Sequence, residues 1–309
     1  MNRQTHHTPF IFALAGFVFV LGFAAPASGQ AQDGRVQRLS LGLVFEGPRE
    51  PIEARFREFV DYLARKISSG QQVKGTIVLA PTALKLVKPL EDKQVDFYME
   101  SPYPTYLINR QGSALLLLRR WKGGVAEYRS ILFTVKESPT RLEDLRGRII
   151  AFEDPGSTSG YFLPKLLLMS KGFTLVEKSA IDAQLSPKEI GYIFAHSDKK
   201  IVELVLSKKV AAGAFSSDDY AALDEKQKSG IAILAETGAF PRHLVSIRKD
   251  LNAAVAKRLK EALLSMDQDA EGRKILHQTD NTTKFDLLPG GEPAVRRQLM
   301  ELYRSPVKR

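Results

Sequence analysis

The chain has 309 residues, with 45 lysines and arginines against 35 aspartates and glutamates, for a formal net charge of +10, and it contains no cysteine. That composition excludes disulfides, a thiolate nucleophile or metal ligand, and a lipid anchor built on cysteine. The basic residues fall in short runs such as Lys199-Lys200 and Lys208-Lys209, with acids between them and no interleaved aromatics. This argues against nucleic-acid binding and for a solvated surface that favours anionic ligands.

At the amino terminus, Arg3 precedes an apolar run over residues 10–24 and the small-residue segment Ala25-Pro26-Ala27-Ser28-Gly29-Gln30-Ala31. The run is shorter than the roughly 20 residues a membrane span needs, and the three-part pattern predicts an export signal over residues 1–31, removed in the mature protein, with an uncleaved amino-terminal anchor as the alternative. About 280 residues then remain, enough for two lobes with separate cores.

Strands and helices alternate from there. Residues 38–45 read as a strand, and Ile52, Phe56, Phe59, Val60, Leu63 and Ile67 recur at steps of three and four, the mark of an amphipathic helix. A strand at 76–80, a helix at 82–90 and a strand at 95–99 follow, then two β-rich segments at 114–120 and 126–135. A second unit opens near Leu142: strand 148–152, helix 159–171, strand 191–194, helix 197–206, strand 210–215 and helix 218–224. Strands at 231–235 and 243–247, a helix at 252–266 and a terminal helix at 292–304 complete the chain. The alternation predicts an α/β protein with mostly parallel sheets. One lobe, residues 32–135 and 236–309, is interrupted by another, residues 136–235, so that two crossings near Val135 and Glu236 leave a cleft.

Ligands of open α/β sheets collect beyond the carboxyl ends of strands. Four loops lie at such ends: residues 100–103, 154–159, 195–196 and 215–218. The most informative is Glu153-Asp154-Pro155-Gly156-Ser157-Thr158-Ser159-Gly160-Tyr161, where three hydroxyl residues stand between a buried strand and an apolar helix. A helix start exposes about four unpaired backbone N–H groups and roughly half a positive charge. Three added hydroxyls make Ser157, Thr158 and Ser159 a receptor for a small oxyanion, although Ser and Thr cap helices in any protein. Catalysis would need a nucleophile paired with a base, or clustered metal ligands. His196, His243 and His277 are scattered without zinc-type spacing. The expectation is a binding protein, with no cofactor, no metal and no enzymatic activity.

In order along the chain, Leu41-Gly42-Leu43-Val44, Val95-Asp96-Phe97-Tyr98-Met99-Glu100-Ser101-Pro102-Tyr103, the segment 142–161, Ala195-His196-Ser197 and Phe240-Pro241-Arg242-His243-Leu244 resemble the periplasmic solute-binding proteins of phosphate, phosphite and phosphonate ABC transporters (PhnD-like). The Ser-Thr-Ser-Gly element is the most specific part of the likeness. The resemblance implies a two-lobed periplasmic-binding-protein architecture of type II with an interdomain cleft and hinge, located in the periplasm and monomeric. It implies that Ser157, Thr158 and Ser159 bind phosphoryl-type oxygens, with Ser101, Tyr103, His196 and Ser216 in the same pocket, while Tyr161 and Trp121 belong to core or rim. The implied partner is an ABC permease, the alternative a signalling kinase. Two positions depart from the pattern. Ser216 stands where relatives that carry aminoalkylphosphonates have an acid, with Asp218 and Asp219 read as first-turn helix residues, so an amino-bearing ligand is not expected to bind best. Glu46 stands where relatives often have an aromatic or proline, and Arg242 is either an anion partner or a solvated side chain.

Overall fold

The structure is a computed structural model that describes residue 1 and residues 37–304, apart from 71 and 137–140. The expected signal segment over 1–31 lies outside the described residues except for Met1. No helix among the described residues is long and apolar enough to cross a membrane.

The first sheet has six strands. Strands β1 (Arg38–Val44), β2 (Lys74–Ala80) and β3 (Phe97–Glu100) pair in parallel. They continue antiparallel through β13 (His243–Arg248), β4 (Ala114–Lys122) and β14 (Thr282–Asp286). Helix α1 (Arg49–Ile67) buries the six predicted apolar residues, together with Tyr62 and Ala64, against this sheet and the helix Ala253–Ser265. Helix α2 (Ala83–Glu91) is capped by Thr82, whose side chain accepts from the Lys85 N–H, and it covers the other face with Leu86 and Leu90. Helix α3 (Pro102–Asn109) starts at the end of β3, with Pro102 at a position where a missing N–H costs nothing.

The second sheet also has six strands: β11 (Ile231–Glu236), β6 (Ser130–Val135), β10 (Ala212–Ser216), β7 (Ile149–Phe152), β9 (Glu189–Phe194) and β8 (Thr174–Glu177), in that order. Strand β6 runs antiparallel to both of its neighbours. Strands β10, β7, β9 and β8 pair in parallel. Helices α4 (Leu163–Ser170) and α5 (Asp198–Leu206) pack on opposite faces, in separate apolar clusters around Leu168 and around Ile201 and Val205. Helix α6 (Ser217–Ala222) follows β10.

Both sheets are mixed, because a chain that leaves a lobe and returns must add reversed strands at the junction. The first crossing falls earlier than the expected boundary at Val135: β6 hydrogen-bonds in the second sheet, so the chain crosses between Lys122 and Ser130. It returns between Glu236 and His243. The two crossing segments pair with each other as a short ribbon, β5 (Glu127–Tyr128) against β12 (Phe240–Pro241). The Arg242 N–H donates to the Ala126 carbonyl at 2.7 Å and fixes the same join.

Candidate ligand-binding site

The Ser157 turn follows from its sequence. Strand β7 ends at Phe152, Asp154 folds back so that its Oδ1 accepts from the Gly156 N–H at 2.7 Å, and Ser157 caps the helix by accepting from the Gly160 N–H at 2.9 Å. The helix opens as a single π turn over Thr158–Phe162 before α4 begins, a widened geometry often found at functional sites. Gly160 is required by close approach: a Cβ there would lie 2.6 Å from the Cβ of Glu153. From β6, the Ser130 hydroxyl donates to the Ser159 carbonyl at 2.6 Å and holds the turn against the second sheet.

Thr158 joins the lobes. Its Oγ1 accepts from the Tyr103 N–H at 2.9 Å and donates to Ser101 Oγ at 2.8 Å, both residues at the start of α3. The Tyr103 ring stacks on Phe162, with centroids 4.2 Å apart and planes 3° from parallel. Tyr128, Phe162, Leu163 and Phe240 form one apolar cluster behind this contact, where the hinge ribbon meets the two helix starts.

In front of the turn lies a polar cavity of about 360 Å³ bounded by both lobes and the hinge. Ser101, Ser157, Thr158 and Ser159 line it. The other three predicted residues are placed elsewhere. The ring of Tyr103 is engaged in the interlobe stack. His196, exposed and held at a positive φ of 60°, borders an outer cavity. The hydroxyl of Ser216 is taken by its own helix: it accepts from the Asp219 N–H and donates to Asp219 Oδ2, while the Ser216 N–H donates to the same carboxylate. Glu46 is exposed and borders the outer cavity, not the polar one.

The polar cavity also holds groups that the sequence did not single out. Tyr128, from the hinge ribbon, is only 2% exposed, and its hydroxyl has no hydrogen-bond partner among the described residues. Burial pushes this phenol up to about 12, opposed by Arg242 and by the nearby Thr158 and Ser159 side chains. Arg242 lies over the Tyr128 ring at 4.6 Å and donates from Nε to Asp218 Oδ2 at 2.7 Å. It lines the cavity, with its side chain mostly buried. Lys122 and His243 complete the basic side. Burial, then Arg120, Arg242 and Lys122, hold His243 well below the usual imidazole range, so it is neutral at pH 7.

Opposite them stand five carboxylates: Glu100, Glu153, Asp154, Asp198 and Asp219. Burial pushes Glu100 up to about 7, against the Val44 N–H bond and the Arg120 charge. Burial also raises Glu153, partly offset by the Ser157 hydroxyl. For Asp198, burial and then Glu153 and Asp219 push the carboxyl up to about 7, with Arg242 opposing, and its Oδ1 is buried without a partner among the described residues. The loss of an acid at Ser216 therefore does not leave the pocket without acids, since Asp219 from the same turn and Asp198 from α5 supply them. Among the described residues no group of three or more His, Asp or Glu is arranged to hold a metal ion.

Two α/β lobes joined by a double crossing, with a polar cavity at the join, define a cleft-type solute-binding protein. The chain belongs to the family described as the periplasmic substrate-binding protein of the phosphonate ABC transporter, which matches residues 43–288. The family comprises binding proteins that work in the periplasm with a small-molecule ligand and an ABC permease. Among solved structures, the chain is similar to XAC2383 from Xanthomonas citri bound to ATP, with 27% identity, a TM-score of 0.78, and coverage of 87% of this chain and 96% of that one. PhnD1 from Prochlorococcus marinus in complex with methylphosphonate shares the fold at 18% identity and a TM-score of 0.63, covering 87% and 97%. So does the aliphatic sulphonate binding protein SsuA from Escherichia coli, at 15% identity and a TM-score of 0.53, covering 87% and 92%.

Proposed function

We propose that this protein captures a small phosphoryl-type oxyanion, a phosphonate, phosphite or phosphate, between its lobes and delivers it to an ABC-type permease. One observation carries the reading: the Ser157–Ser159 helix start and the unpartnered Tyr128 hydroxyl face the same interlobe cavity. Amide hydrogens, hydroxyls and a phenol at a helix N-terminus suit a tetrahedral anion without a full countercharge. Arg242 and Lys122 supply positive charge beside them. Ligand contacts made from both sides favour the closed arrangement, and that differential is what couples binding to presentation at the permease.

Asp198 favours a second, narrower reading within the same class. An unpartnered buried carboxyl among Glu153 and Asp219 is met best by a cationic group on the ligand, so an aminoalkylphosphonate is a candidate, against the expectation drawn from Ser216 alone. A thermal-shift and calorimetric screen against phosphate, phosphite, methylphosphonate, 2-aminoethylphosphonate, sulfate and carboxylates tests both. A rise in melting temperature with at least one phosphorus oxyanion is expected by mass action; no response to any of them would overturn the ligand class.

A further inference from the structure

The polar cavity adjoins a second one. Val44, Pro104, Asp154 and Gly156 border both, and the outer cavity encloses about 800 Å³. Its character is different: Phe45, Pro81, Leu84 and Leu107 from the first lobe face Pro155 from the second. Leu84 is 50% exposed there, one of the few large apolar side chains among the described residues left so open. A water-sized group occupies about 30 Å³, so phosphate or methylphosphonate is accommodated in the inner 360 Å³ alone. Such ligands leave the apolar wall without a role. Binding pockets for larger molecules combine a few fixed polar groups with a mainly apolar lining, over roughly 300–1,000 Å³.

We propose that the ligand is a phosphonate or phosphate monoester with a bulky, ring-sized apolar substituent. Its phosphoryl head sits at the Ser157–Ser159 turn, and the substituent passes between Pro104 and Gly156 to pack on Phe45, Leu84 and Leu107. The inference rests on the phosphoryl reading of the turn. It adds that selectivity among phosphonates is set by the mouth of the cleft, with apolar burial as its source.

Isothermal titration of the purified protein with phenylphosphonate and with methylphosphonate tests it. Phenylphosphonate should bind at least about tenfold more tightly, the return expected from removing much of a ring from water. Leu84→Asp should bring that ratio to about one. The variant folds, because an acid in the first turn of α2 suits the helix dipole; Leu84→Met should keep the preference. If methylphosphonate binds and phenylphosphonate binds no better, or if the preference survives Leu84→Asp, the inference is overturned while the phosphoryl site stands. If neither ligand binds, the inference is overturned, and phosphate and phosphite titrated in the same way decide whether the phosphoryl reading survives it.

Discussion

Two serine turns in the second lobe, one after β7 and one after β10, begin with the same chemistry and end differently. At Ser216 the third residue on is Asp219, whose carboxylate accepts from the Ser216 N–H and hydroxyl while the Ser216 hydroxyl caps the Asp219 N–H. That helix start is satisfied by its own residues. At Ser157 the hydroxyl likewise caps its own first turn, at the Gly160 N–H, but Gly160 has no side chain to reach back, and the next hydroxyl, on Thr158, is bonded to the other lobe. A hydroxyl at a helix start can reach another element only when its own first turn does not claim it, which holds for Thr158 and not for Ser216.

The contrast breaks most directly at Thr158. Thr158→Val keeps the shape but removes the hydroxyl that meets Ser101 and Tyr103. We expect methylphosphonate affinity to fall about 100-fold, read by calorimetry, since the Tyr103 N–H and the Ser101 hydroxyl both lose this partner across the cleft. Retention within about twofold would mean that this interlobe bridge does not support the bound form. Asp219→Asn comes next and separates charge from capping: the amide oxygen still caps, yet one negative charge leaves the cavity wall. Affinity for methylphosphonate should rise about three- to tenfold, and that for 2-aminoethylphosphonate should fall; movement of both in one direction would contradict a charge role for Asp219.

Ser216→Ala should cost about 1 kcal/mol of stability, the usual loss for a helix cap, or about 2–4 °C in melting temperature. Ligand affinity should stay put, the reverse of the Thr158 result. The smallest effect is read along the pH axis. Asp198 has a folded-state pKa near 7, raised by burial above the ordinary carboxylate value of 3.8, so the folded protein binds more protons than the unfolded chain between these limits. Its contribution lowers stability as pH rises from about 4 to 7 and is constant above that. Asp198→Asn should flatten this decline in a melting-temperature series, and an unchanged slope would show that other groups, such as Glu100 and Glu153, carry it.

Much of this was legible in the chain itself. The apolar spacing over Ile52–Ile67 marks α1, the alternation of elements marks two α/β lobes, and the strand, turn and helix signals around Ser157-Thr158-Ser159 place that segment at a helix start. The Ser216 box was equally readable in Ser216-Ser217-Asp218-Asp219, had the spacing of three been weighed. Tyr128 was not legible. Its two-residue strand has no periodicity, and its place depends on pairing with Phe240, far along the sequence. The carboxylate wall escaped for a related reason: Glu100, Glu153, Asp198 and Asp219 each look like an ordinary solvated acid, and only the meeting of separate loops puts them around one space. The crossing at residues 123–129 was misplaced because β6 is as apolar as a strand of either sheet, and pairing alone assigns it.

The bridge from Thr158 to Ser101 and Tyr103 runs from protein to protein. Part of the drive to shut is therefore intrinsic to the chain and shared by every cargo. A solute then meets a population already biased towards the capturing form, and its apparent dissociation constant is divided by a larger competent fraction. The same bias has a cost at the membrane, where shut receptors carrying no cargo compete for the transporter's docking face and set a floor of futile engagement.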